Sequence, residues 1–527
     1  MIRMKIIFAT AALTLSISAT TSVSAQSAQE RLDARYDRAL AAGYKALFLC
    51  SATANAELNG ATRTPEGIHQ WELSGIQEPL NEIIRDLPYE IVRSNPERLR
   101  TIVARIAARD GVSVEEKLAE FDPAFIATDA SRLRYVKVEW AEDMEPRIAN
   151  HHWGNGCVLM PIGWKVATMD PGMDVPPTQP YVQPLSPIEE PSMPSLEAGS
   201  AAFDGKTYGE GSRTTAVLVM HENQSMFERY ADGFGPSTPQ RTWSVAKSLA
   251  ATLVGYVLRQ CPECANEPGA ITTISSDQEQ LAEQGWPQLD RGLVLPWTPS
   301  AVEPRREITV DHFLRMASGR YSDTAGNRTD PLYWGGTTVA ERAANWPIVH
   351  KPGTVYRYSN NDTLMAIWAF RDWLEENPPQ QFFELVGMRH TVAESDWQGN
   401  YVLSSQAWTT SRDLAKLGQL YLNDGVLPDG TRVLPEGWAK YVSDPSGPQP
   451  AGTQWGYGAG WWTFRRPEGN AFEGIPDDAF AARGNRGQYV VVVPSRNVVI
   501  VRRGEDMVGT RFDIAAFTRD VLAALDE

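Results

Sequence analysis

The sequence predicts an α+β fold: an antiparallel sheet flanked by helices, with a helical subdomain between its strands and a smaller N-terminal extension domain. Three observations carry this. Strand hairpins stand at both ends of the C-terminal two-thirds, at 216–230 and 489–501. The region between them is rich in helical patterns, which places strands far apart in sequence beside one another. A proline-rich stretch sets the first third of the chain apart.

Taken in order, Arg3 and Lys5 precede the short apolar run Ile6–Leu15, and Val23-Ser24-Ala25 offers small residues before Gln26. This reads as a secretory signal peptide at 1–25; the apolar run is too short to span a bilayer. Export to the periplasm or beyond implies an oxidising compartment. Cys50, Cys157, Cys261 and Cys264 allow three pairings. The expected pairs are Cys50–Cys157, stapling the N-terminal region, and Cys261–Cys264 within one C-x-x-C.

The N-terminal accessory domain spans 26–170. It opens with a helical pattern from Arg31 to Ala46 and contains the strand Tyr135–Trp140, but shows no chemical motif. His151-His152 is read as a pair of loop histidines, and no metal site is expected anywhere in the chain. Prolines 171, 176, 177, 180, 184, 187, 191 and 194 exclude a helix or a central strand along the run 171–194, which makes up most of 171–200. That stretch is read as an extended linker or a surface strap.

The larger remainder, 201–527, begins with the hairpin Ala216–Met220 and Met226–Tyr230, turning at Glu222-Asn223. It ends with Tyr489–Val493, Val498–Val501 and a helix whose apolar stripe is Ile514, Phe517, Val521, Leu522 and Leu525. The chain carries 49 Lys+Arg against 65 Asp+Glu, a net charge of -16. A body this acidic repels phosphate backbones, so nucleic acid is not an expected partner. No stable membrane insertion and no cofactor are expected, and the oligomeric state is open. The 17 tryptophans are read as ordinary packing.

No G-x-S-x-G occurs, and no histidine has a visible serine partner. The candidate chemistry is instead Ser244-Val245-Ala246-Lys247 at the start of an apolar helix. Positions three apart share a helix face, so the Lys247 amine falls beside the Ser244 hydroxyl. Burial disfavours the ammonium form and makes a neutral amine available as base. The helix N-terminus adds a backbone N–H for an oxyanion. Further on, 308–319 reads as a capped helix ended by Gly319, and Tyr358-Ser359-Asn360 places a phenol and an amide in a loop. Tyr421-Leu422-Asn423 reads as a helix terminus.

Ser244-x-x-Lys247, the segment I-T-V-D-H-x-L-x-M-x-S-G at 308–319, P-G-T-x-x-x-Y-S-N at 352–360 and G-x-x-G-Q at 484–488, in that order, resemble the serine β-lactamase and penicillin-binding-protein superfamily. The likeness is greatest to the class C-like serine hydrolases, including esterases and 6-aminohexanoate-dimer hydrolases. Segments 406–418 and 429–438 share it, and it covers roughly 205–527. The resemblance implies a β-lactamase/transpeptidase-like fold, Ser244 as acylated nucleophile, Lys247 and Tyr358 as acid/base pair, and Asn360 orienting the substrate. It also implies a Lys/His-Thr/Ser-Gly motif at Ala482-Arg483-Gly484. Here Ala482 lacks the cation, for which Arg483 or Arg486 stands as replacement. Asn485, after Gly484, would supply the second oxyanion N–H. No acid-bearing loop of the class A type is present, so deacylation falls to Tyr358 and water. The implied activity is hydrolysis of a small-molecule ester or amide through an acyl-enzyme. The alternatives are a D-amino-acid peptidase or penicillin-binding enzyme, and a catalytically inert binding or sensing domain.

Overall fold

The computed structural model describes residues 27–94, 96–120, 132–152, 154–165, 191–193, 196–261, 304–322 and 330–526. The expected signal peptide, most of the proline-rich stretch and Cys264 lie outside these.

Helix α1 (Ala28–Leu58) is longer than its sequence pattern. It starts at a capping box in which Ser27 and Glu30 satisfy each other's backbone N–H. It packs on a four-stranded antiparallel sheet, β1 (Tyr89–Arg93), β2 (Leu133–Val138), β3 (Arg147–His152) and β4 (Gly156–Leu159), paired in sequence order. The expected disulfide between Cys50 of α1 and Cys157 of β4 is formed. Cys261 is also disulfide-bonded. His151 and His152 belong to β3 and not to a loop, because Ala149-Asn150-His151-His152 continues the ladder against β4. They alternate across the sheet: His151 is buried beside Arg132, and His152 meets Asn150 at 2.9 Å.

The second sheet has seven strands. The hairpin β5 (Thr214–His221) and β6 (Gln224–Tyr230) turns on Glu222 and Asn223, both left-handed, the two-residue turn that matches strand twist. Residues 192–193 hydrogen-bond along the outer edge of β6. After the short β7 (Gln240–Arg241) come α2 (Val245–Gln260), α3 (Val310–Leu314) and α4 (Asn360–Trp368). Then follow β8 (Val392–Ala393), β9 (Ala407–Thr409) and α5 (Ser411–Leu422). The chain closes with β10 (Gly456–Tyr457), β11 (Trp462–Thr463), β12 (Phe480–Gly484), β13 (Gln488–Val493), β14 (Val498–Gly504) and α6 (Ile514–Ala524). The sheet order is β10-β11-β12-β13-β14-β5-β6, all antiparallel, so strands from both ends of the region meet at its centre.

Both faces of the sheet are covered. One carries α6, with Ile514, Phe517, Val521 and Leu522 buried against Val217, Val219, Val491 and Ile500. The other carries α2, α5 and the helical middle, in one apolar cluster that continues into α1 and its sheet. Each fully buried Val or Leu contributes roughly 1.5–3 kcal/mol of transfer free energy.

Two local expectations change. The helix read at 308–319 stops at Leu314, because Arg315 leaves helical geometry and Met316 turns left-handed (φ 57°) well before Gly319. Asn360 does not lie in a loop. It is the first residue of α4, with Tyr358 two residues ahead of it.

Candidate active site

The polypeptide enters the site along β7, which pairs with β9 and through it with β8. Thr242 and Trp243 then turn the chain into α2. Trp243 has a left-handed backbone, φ 49°, uncommon for a bulky residue. Ser244 follows at the N-cap position. Its side chain makes no capping bond, which leaves the hydroxyl to other partners.

Lys247, one turn along, is 2% exposed. Its Nζ lies 3.1 Å from Ser244 Oγ, 2.5 Å from Asn360 Oδ1 and 2.8 Å from the Ser404 carbonyl. Burial pushes the amine well below its ordinary value of 10.5. No carboxylate acts to restore the charge. Three oxygens thus stand within hydrogen-bond distance of Nζ; in the neutral amine, two N–H groups would donate to Asn360 Oδ1 and Ser404 O and the lone pair would face the Ser244 hydroxyl. Ser404 is itself fixed by a 2.6 Å bond between its hydroxyl and that of Tyr333.

The Tyr358 ring sits 4.9 Å from Lys247 Nζ and packs against Trp462. Burial raises its phenol above the usual 10, and a hydrogen bond with Ser244 pulls the other way. The phenol therefore holds its proton at neutral pH. This makes it a donor in the site and leaves Lys247 as the group able to accept one.

Strand β12 passes directly alongside the serine. A Cβ on Gly484 would lie 2.4 Å from Thr242 O and 3.2 Å from Ser244 N, so only glycine allows this approach. Ala482 is fully buried in the core shared with α2 and presents no charge. Of the two arginines offered in its place, Arg486 is committed elsewhere. Its guanidinium bonds buried Glu505 at 2.5 Å and the carbonyls of Trp71 and Ser74. Arg483 stacks on Trp455 (4.1 Å) and Trp462 (4.8 Å) and has no ion-pair partner among the described residues.

Ser244, Tyr358, Asn360, Arg483, Gly484 and Asn485 line one cavity of about 470 Å³. Of the site residues expected from the sequence, Ser244, Tyr358, Asn360, Gly484 and Asn485 line it, and Lys247 contacts two of these, Ser244 and Asn360. Sequence reasoning missed three parts of the wall: Tyr44, Ile76 and Gln77 of the N-terminal region, Tyr333 and Trp334 of the helical middle, and Ser405. None carries a motif. Tyr44 does have a signature after the fact, since Gly43 beside it is where α1 meets the Trp334 carbonyl. A Cβ there would come within 2.0 Å of that oxygen. Among the described residues there is no His/Cys/Asp/Glu group arranged to hold a metal ion, and no helix long and apolar enough to cross a membrane.

Against known proteins, residues 201–525 match the family model described as Beta-lactamase. The chain is 24% identical over 312 residues to the 6-aminohexanoate-dimer hydrolase of Paenarthrobacter ureafaciens, covering 56% of this chain and 73% of the relative. Among solved structures, a class C beta-lactamase is 14% identical, with a TM-score of 0.42, covering 60% of this chain and 92% of its own. A penicillin-binding-protein homologue from Caulobacter crescentus is 15% identical, with a TM-score of 0.42, covering 63% and 98%.

Proposed function

The chain belongs to the beta-lactamase family, and from that premise we propose that it is an exported serine hydrolase cleaving a small ester or amide through an acyl-enzyme on Ser244. The observation that carries the reading is the neutral-amine geometry: Lys247 Nζ lies 3.1 Å from Ser244 Oγ and is otherwise held by uncharged oxygens.

In the first step the Lys247 lone pair takes the Ser244 proton as Oγ attacks the substrate carbonyl carbon. The developing oxyanion is received by the backbone N–H groups of Ser244 and Asn485, a reading supported by the close approach of Gly484 to Ser244 N and by Asn485 lining the same cavity. Tyr358, protonated and bonded to Ser244, passes a proton to the leaving oxygen or nitrogen and is reprotonated from the Lys247 ammonium. The acyl-enzyme is then cleaved by water, with the same two groups working in reverse. Asn360 has a role beyond touching substrate: its Oδ1 accepts from Lys247 and so orients the base. Arg483, without an ion-pair partner among the described residues, lines the cavity and is the cation available to a substrate oxygen.

A relative named for hydrolysing the 6-aminohexanoate dimer supports an amide among the substrates. The apolar burial of Ala482, where the family's cation would stand, weighs against β-lactam turnover. The Cys50–Cys157 disulfide supports a periplasmic or secreted location.

The test is covalent labelling with a fluorophosphonate. Wild-type protein takes the label and Ser244→Ala does not; a label that survives this substitution ends the reading. A panel of short-chain ester, linear amide, chromogenic cephalosporin and fluorescent penicillin then sorts the substrate class. Efficient cephalosporin turnover, or stable capture of the penicillin, would replace the ester or amide assignment.

A further inference from the structure

The left-handed Trp243 is the residue that aims the nucleophile, and its ring is held from outside the hydrolase region. The Arg241 guanidinium lies 4.3 Å from the Trp243 ring, 4.7 Å from Trp334 and 5.0 Å from Phe48. Phe48 also meets Trp243 and Trp334 directly, at 6.0 and 5.9 Å. Arg241 is 1% exposed and has no carboxylate within ion-pair distance among the described residues, so aromatic faces are its counter-charge. Its remaining bonds run to Ser405, 2.7 Å to Oγ and 3.2 Å to the carbonyl. Ser405 is the neighbour of the residue whose carbonyl holds Lys247. One box of side chains thus fixes the nucleophile's turn and the base's acceptor together.

Phe48 comes from α1, and α1 is anchored at this point. Tyr44 stacks on Phe48 at 4.4 Å. Two residues past Phe48, Cys50 is tied to Cys157. Ser51 donates to the buried Glu394 carboxylate at 2.6 Å, which also accepts from the Cys157 N–H and the Trp408 indole. Trp408 pairs with Arg241 in the β7–β9 ladder. The anchorage of the N-terminal helix therefore converges on the strand that carries the nucleophile.

We propose that the N-terminal segment is a working part of the active site, in which Phe48 and Arg241 are positioning residues that hold Trp243 in its left-handed conformation and keep Ser244 in line with Lys247. The inference rests on the acyl-enzyme reading. A bulky residue in this conformation is strained and persists where its surroundings over-determine it. Loosening the box lets the backbone relax and misaims the hydroxyl, which lowers rate rather than affinity.

The experiment uses the full chain. Phe48→Leu keeps apolar volume and loses the ring; Arg241→Lys keeps charge and loses the planar stack. Fluorophosphonate labelling is followed to saturation, giving a maximal rate and a half-saturating concentration, with thermal unfolding alongside. The expected result is a maximal rate lowered about tenfold or more in both variants. The half-saturating concentration stays within about twofold, and Phe48→Tyr recovers most of the rate. A merely structural role would lower the unfolding temperature and leave the rate of the folded protein as it was. Wild-type rates in the folded variants, or a Phe48→Tyr variant as slow as Phe48→Leu, overturn the inference. If Phe48→Leu does not fold, Arg241→Lys decides alone. Labelling absent in wild type, or surviving Ser244→Ala, overturns the acyl-enzyme reading first and this inference with it.

Discussion

Helix α4 serves two buried cations within its first turn, and it treats them differently. Asn360 faces the Lys247 amine, whose other protein contacts are also uncharged oxygens. Two residues on, Asp362 pairs with Arg320 at 3.0 Å and accepts from Ser318, while Arg320 also donates to the carbonyls of Ala343 and Asn361. Both cations are buried. One has a carboxylate and stays charged. The other has none, and burial lowers its pKa well below the ordinary 10.5. A guanidinium, always protonated and here held by a carboxylate, makes a brace; an amine held only by uncharged oxygens, its pKa lowered by burial, is the one group of the two that can serve as a base.

That contrast can be broken from either side. The largest effect is at the nucleophile: Ser244→Ala lowers kcat by about 10⁴-fold or more on whichever panel substrate is turned over, measured by steady-state kinetics. Lys247→Ala follows, with a loss of about 10³-fold, and it leaves the unfolding temperature unchanged or higher because a desolvated amine has been removed.

Asn360→Asp is the sharper experiment, because it turns the catalytic cation site into a copy of the structural one. A carboxylate beside Lys247 favours the ammonium and raises its pKa. The base must be unprotonated, so activity falls as pH drops through that pKa. In wild type the acidic limb of kcat/KM lies well below 10.5. In the variant it moves upward, activity at pH 7 falls by about 10²-fold, and part is regained at higher pH. A limb that stays in place would show that the titrating group is not Lys247.

The smallest effect on activity belongs to the other side of the comparison. Asp362→Asn leaves Arg320 buried without its carboxylate and destabilises the fold by about 3–5 kcal/mol in denaturant unfolding. The kcat per labelled site stays within about twofold, because Asp362 bonds Ser318 and Arg320 rather than Ser244 or Lys247.

Much of this was legible in the chain, for identifiable reasons. The hairpins were readable because turn residues and alternation are local, and Glu222-Asn223 behaves as its composition suggests. Ser244, Lys247 and Tyr358 were readable because helical spacing and an ordered set of short motifs survive in one dimension. Ser404 was not, because it holds Lys247 through its backbone carbonyl, and a carbonyl has no sequence signature. Tyr44 and Gln77 were not, because their place in the cavity wall is set by packing against residues hundreds of positions away. The end of α3 was misplaced because Met316, a residue with no obvious turn preference, adopts the left-handed conformation that Gly319 was expected to supply. The histidines at 151–152 were taken for a loop because a short polar run hides a strand whose hydrogen bonds come from its neighbours.

The position of β14 has a consequence for how the site is held. It sits between β5 and β13 inside the large sheet, yet among the described residues it is the last strand along the chain. Without it, β5 would pair on one edge only, with β6, and the glycine strand β12 and its neighbour β13 would have no strand joining them to that hairpin. Without residues 480–504 the helix bearing Ser244 and Lys247 would lose both the glycine strand that runs beside the serine and the two strands that join it to β5.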